Sequence, residues 1–109
     1  MNKQTSVSFI SEKLKKDFNK LENSSEEKLF KFVQRAINDL KENPFCGIRI
    51  PRKLWPKIYI QKYNINSLRK YDLPGGWRLL YIIETDEIMI VSIILEWINH
   101  KDYEKRFGY

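Results

Sequence analysis

The chain has 109 residues, 42% of them apolar and 14% aromatic, and a formal net charge of +6. That is enough apolar matter for one compact core and too little length for two, so residues 1–109 read as a single domain. With four Gly and four Pro it is no collagen-like or linker-dominated chain, and with one cysteine, Cys46, and one histidine, His100, it has neither an internal disulfide nor a dedicated zinc site.

In chain order, residues 5–10 read as a short strand. Ser11 is an N-cap for a helix whose apolar stripe is Leu14, Phe18 and Leu21. Ser24 and Glu27 make a capping-box pattern for a second helix over 25–42, carrying Leu29, Val33, Ala36, Ile37 and Leu40 on one face. Asn43-Pro44 ends it, because the residue before proline avoids helical backbone. These two segments read as an antiparallel helical hairpin. Three strand-like runs come next: Lys57 to Tyr63, Gly76 to Glu84, and Glu87 to Trp97. A tight turn at Thr85-Asp86 joins the last two, setting Glu84 against Glu87 and Arg78 opposite Ile93. Alternation then puts Trp77, Leu79, Tyr81 and Ile83 on one face and Arg78, Leu80 and Ile82 on the other. Residues 99–107 read as one or two helical turns.

The longest apolar run, residues 88–95, is too short to span a bilayer, and MNKQTSVSF lacks the apolar core of a signal peptide. A cytoplasmic protein without membrane contact is the expectation. The face bearing Leu80, Ile82, Met89, Val91 and Ile93 is apolar enough to need a cover, from residues 99–109 or from a partner.

The positive charge is concentrated in one third of the chain. Residues 45–83 hold eight Lys and Arg against one acid, Asp72, a net of +7. The cations are interleaved with aromatic residues, a pattern suited to phosphates and stacked bases. Lys53, Lys57, Lys62, Arg69 and Lys70 are the candidate RNA contacts. Arg78 lies within an apolar strand and needs a carboxylate such as Glu96, solvent, or an anionic ligand. His100 and Tyr103, spaced i, i+3, share a face if their segment is helical, and both can exchange protons.

The order of these features resembles the RelE/ParE toxin superfamily. The resemblance rests on Trp77-Arg78-Leu79-Leu80-Tyr81 and on the His100-Lys101-Asp102-Tyr103 segment after an apolar strand. It implies an α+β fold, with an N-terminal helical hairpin packed on one face of a small twisted antiparallel sheet and a short C-terminal helical segment. It further implies the toxin of a type II toxin–antitoxin pair: a ribosome-dependent mRNA endonuclease (mRNA interferase) in which the substrate's 2′-OH attacks the adjacent phosphate without metal or other cofactor. Arg78, His100 and Tyr103 are then the catalytic candidates, and mRNA, the ribosome and an acidic antitoxin protein the partners. The ParE branch inhibits DNA gyrase and cuts no RNA, and an inactive basic RNA-binding module of the same fold is a third reading.

Overall fold

The computed structural model describes residues 3–109. Strand β1, Gln4–Phe9, is followed by helices α1, Glu12–Leu21, and α2, Glu27–Glu42. A two-residue strand β2, Ile48–Arg49, and a 3₁₀ turn, Arg52–Leu54, lead into helix α3, Lys57–Tyr63. Strand β3, Arg69–Asp72, a second 3₁₀ turn, Pro74–Gly76, strand β4, Arg78–Thr85, strand β5, Met89–Ile98, and helix α4, His100–Phe107, complete the chain.

The Ser11 side chain accepts from Leu14 N at 3.1 Å and starts α1 as expected. The second cap does not form. Ser24 Oγ instead donates to Leu21 O (2.9 Å) and accepts from Glu26 N (3.0 Å), and α2 begins at Glu27 without a side-chain cap. Its sixteen residues bury Leu29, Val33, Ala36, Ile37 and Leu40.

The architecture corrects the expected one. The first strand comes where it was expected, but among the described residues the sheet is mixed instead of antiparallel and there are four helices. The expected helical hairpin on a small antiparallel sheet is replaced by a five-stranded sheet of order β1-β5-β4-β3-β2, in which β1 runs parallel to β5 and every other pair is antiparallel. Apolar alternation carries no information on strand direction, so the parallel pair was not foreseeable from it.

Lys57 to Tyr63 is a helix, not a strand. Ile58 and Ile60 alternate as a strand would, yet they are 49% and 42% exposed, and the buried residue is Tyr59 between them. Pro56 accepts the first helical hydrogen bonds, from Tyr59 N and Ile60 N. Tyr59 and Tyr63 pair one turn apart, with ring centres at 6.2 Å. Asn64, at φ 49°, closes the helix.

The β4–β5 register differs too. Asp86 Oδ1 accepts from both Ile88 N and Met89 N at 2.8 Å, which widens the turn beyond two residues. The turn sets Glu84 opposite Val91, four residues on from Glu87, and a bulge that leaves Leu95 of β5 without a partner adds one more, so Arg78 lies opposite Ile98 instead of Ile93. The two faces keep the expected residues. Leu79, Tyr81 and Ile94 join a cluster with Phe18, Val33, Ala36 and Leu40. Leu80, Ile82 and Leu95 join a second with Tyr59, Ile65, Leu68, Tyr103 and Phe107. The face expected to need a partner is thus covered by the chain itself at Leu80 and Ile82, while Met89, Val91 and Ile93 stay half-buried. No helix among the described residues is long and apolar enough to cross a membrane.

Candidate functional site

The register of β4 against β5 has a consequence for chemistry. By pairing Arg78 with Ile98, it sets the guanidinium beside the start of α4, whose N-cap is Asn99, with Oδ1 accepting from Asp102 N at 2.8 Å. Arg78 Cζ stands 5.3 Å from the centre of the Tyr103 ring, and Lys70 Nζ, on neighbouring β3, stands 5.6 Å from the same centre. Asp72 holds the two cations together, with Oδ1 3.0 Å from Arg78 Nε and 3.3 Å from Lys70 Nζ. The Nε–H is not aligned for a hydrogen bond with Asp72 and stays unpaired. Arg78 Nη1 donates to the carbonyl of Gly76 at 2.7 Å.

Arg78 and Tyr103, two of the three catalytic candidates, therefore meet. Tyr103 is more buried than expected for a surface proton donor: it is 7% exposed and stacks on Phe107 with ring centres 4.5 Å apart. Burial pushes its phenol pKa up, Tyr109 adds to that, and the Arg78 charge opposes it. It is a hydrogen donor over the ordinary pH range. His100 stands at the margin. Its Nε2 lies 2.5 Å from Glu104 Oε1, one helical turn on, and its side chain is largely exposed. Gly76, at φ 83°, lies against it; a Cβ there would come within 3.2 Å of His100 Cβ. Glycine at 76 thus allows the close approach of the β4 entry to α4.

Glu96, the partner considered for Arg78, is engaged elsewhere. It accepts from Tyr59 Oη and from Arg106 Nη1, joining β5 to α3 and α4. The Tyr59 phenol pKa is pushed far up, first by burial and then by this carboxylate.

The candidate RNA contacts are spread out. Lys70 belongs to the Arg78 cluster. Lys53 is exposed on the 3₁₀ turn, and Lys57 and Lys62 are exposed on α3, Lys62 Nζ lying 5.3 Å from the Tyr63 ring centre. Arg69 has a structural engagement: Nη2 donates to Phe45 O (3.0 Å) and Gly47 O (2.8 Å), and the guanidinium covers the Phe45 ring. Beside the Arg78 cluster runs an open groove of about 270 Å³ lined by Ile48, Arg49, Leu54, Lys70, Tyr103 and Tyr109, among others. Sequence reasoning passed over Asp72, Arg49 and Tyr109. The signal for Tyr109 was the adjacent Gly108, a helix-closing residue that fixes the backbone of its C-terminal neighbour. Among the described residues, no cluster of three or more His, Cys, Asp or Glu is placed to hold a metal ion.

Searches of protein-family models, curated proteins and solved structures found no match to the chain.

Proposed function

We propose that the protein is a RelE-like toxin that cleaves mRNA on the ribosome. The observation that carries this reading is the pair of cations, Arg78 and Lys70, gathered on the Tyr103 ring at the edge of a groove. Two fixed positive charges suit a phosphate that gains charge during reaction. In the proposed reaction the ribose 2′-oxygen forms a bond to the adjacent phosphorus, and the bond from phosphorus to the 5′-oxygen of the next nucleotide breaks. The products are a 2′,3′-cyclic phosphate and a free 5′-OH. Arg78 and Lys70 offset the charge on the phosphoryl oxygens. His100, with Nε2–H directed to Glu104, has Nδ1 left to accept the 2′-OH proton. Tyr103, kept as a phenol by burial, donates to the departing 5′-oxygen. An acidic antitoxin that meets the +7 third of the chain belongs to the same reading.

The test is purified protein with translating ribosomes and a defined mRNA, with cleavage read by primer extension. Cut ends carrying a cyclic phosphate, lost in Arg78→Ala, support the proposal. Intact mRNA beside inhibited DNA supercoiling by gyrase would replace it with the gyrase reading.

A further inference from the structure

Helix α4 ends in a motif that fixes the ring beyond it. Gly108 sits at φ 75°, its N–H reaching back to Lys105 O at 3.4 Å, and Tyr109 N donates to Glu104 O at 2.9 Å. This is a Schellman closure, and it leaves the backbone of Tyr109 little freedom. The Tyr109 ring then extends a row that starts in the core. Its centre is 6.0 Å from Tyr103 and 6.5 Å from Phe107, nearly parallel to the latter at 25°. Two of the three rings are buried, whereas Tyr109 is 66% exposed.

An exposed aromatic ring on a pinned backbone, tied to a buried aromatic stack, is a ready platform for another flat ring. The other wall of the groove is aliphatic: Ile48 is 54% exposed and Leu54 37%. Its cations are Arg49 and Lys70, and the same Lys70 reaches the Arg78 cluster. We propose that this groove is a nucleobase subsite. A base of single-stranded RNA stacks on Tyr109 against Ile48 and Leu54, and its phosphate lies on Arg49 and Lys70. The proposal rests on the RNA-cleaving reading and adds to it a place for a nucleotide neighbouring the cut. Stacking of this kind is tolerant of base identity, because every base has a flat face.

The test uses a short single-stranded RNA with 2′-O-methyl riboses, which cannot be cut, and measures binding to the full chain by fluorescence anisotropy at fixed salt. Tyr109→Ala is expected to weaken binding roughly 5- to 150-fold, the equivalent of one stacked base. Tyr109→Phe should bind as the parent does. In a series with one abasic nucleotide at each position in turn, one position should cost the parent protein the same factor and cost Tyr109→Ala nothing. Unchanged melting temperatures establish that the variants are folded. The subsite is overturned if Tyr109→Ala binds like the parent, or if its abasic profile matches the parent's. Should the parent still cut mRNA on ribosomes in that case, the nuclease reading survives the loss of the subsite. A positive abasic result without ribosomal cleavage leaves the subsite standing and removes the nuclease. Absence of RNA binding by the parent overturns the subsite, and the ribosomal cleavage assay then decides the nuclease reading separately.

Discussion

The guanidinium carbon of Arg78 lies 5.3 Å from the centre of the Tyr103 ring, so a charge at the start of β4 and a ring in the middle of α4 share one contact. Contacts of this type contribute about 0.5–2 kcal/mol, more as water is excluded. Each residue also has a distinct load. Tyr103 packs on Phe107, and Arg78 ties the β4 entry to Gly76 O. Substitutions that keep one role and delete the other separate fold from chemistry. Tyr103→Ala should destabilise by about 3–5 kcal/mol through the cavity it leaves. Tyr103→Phe keeps the stack and should melt near the parent temperature, while cleavage falls on the order of 10²-fold if the phenol donates the proton. Arg78→Ala should lower single-turnover cleavage by roughly 10²- to 10³-fold. Full activity in Tyr103→Phe would take the phenol out of the reaction.

Asp72 acts as a counter-ion that a phosphate must displace. It faces Lys70 and Arg78 with one oxygen, and its side chain is 49% exposed. Asp72→Asn removes the competing charge and leaves both cations in place. RNA affinity should rise several-fold, and log K should fall more steeply with log salt, by about 0.7 per additional phosphate contact. Titrations at a series of salt concentrations read both effects. The cost to stability should exceed that of a surface pair, at about 1–3 kcal/mol, because Arg78 and Lys70 are mostly buried and lose their counter-ion.

Glu96 is expected to behave as a fastener for α3 and α4. Tyr59 and Arg106 both donate to it, and Arg106 also covers the Tyr59 ring at 5.7 Å. Glu96→Ala should destabilise by about 1.5–3 kcal/mol, the range for a hydrogen bond to a charged group. Arg106→Ala combined with Glu96→Ala should cost less than the two singly, because the partners share one interaction. Arg78→Ala combined with Glu96→Ala should be additive, since Arg78 pairs with Asp72. Urea melts of the two cycles measure the difference.

Stability should decline at alkaline pH through the tyrosines. Burial raises the phenol pKa of Tyr59, Tyr71, Tyr81 and Tyr103, for Tyr71 to about 12 with the Asp39 hydrogen bond adding to burial. The folded chain then holds protons that the unfolded chain releases near pH 10. Stability therefore carries its full tyrosine contribution below about pH 10 and loses it as pH rises toward the folded-state values. Urea midpoints should be flat with respect to these groups up to about pH 10 and fall beyond it. Tyr71→Phe should make the fall shallower between about pH 10 and 12, the interval over which Tyr71 differs between the two states.

The parts of this fold that could be read in advance were those set by local periodicity. The buried stripe of α2 and the face assignments of β4 and β5 depend only on spacing along the chain. The register of β4 against β5 depends on a turn, and the Asp86 carboxylate lengthens that turn by capping two backbone N–H groups. α3 was hidden because Ile58 and Ile60 alternate like a strand while Pro56 and Asn64 bound a single helical run. Arg78 and Tyr103 stood out as a lone cation and a paired aromatic residue. Asp72 and Arg49 did not, and Lys70 was read as an RNA contact apart from Arg78, because what gathers these residues is the pairing of β3 with β2 and β4. Short strands such as Ile48–Arg49 leave almost no signal in sequence.

The edge position of β1 governs the order in which the molecule can be assembled. Among the described residues its one neighbour in the sheet is β5, so Gln4 waits for Met89 and Phe9 for Ile94. During synthesis the first strand leaves the ribosome with its hydrogen-bonding groups unmet, and α1 and α2 emerge after it but before β5, the strand it pairs with. Nothing in the first half of the chain can close the sheet. A loop this long must be ordered before the pairing rewards it, which makes folding late and concerted. A nascent chain that stops short of Ile98 has lost part of the strand on which both β1 and β4 depend, and with it the scaffold of the whole domain.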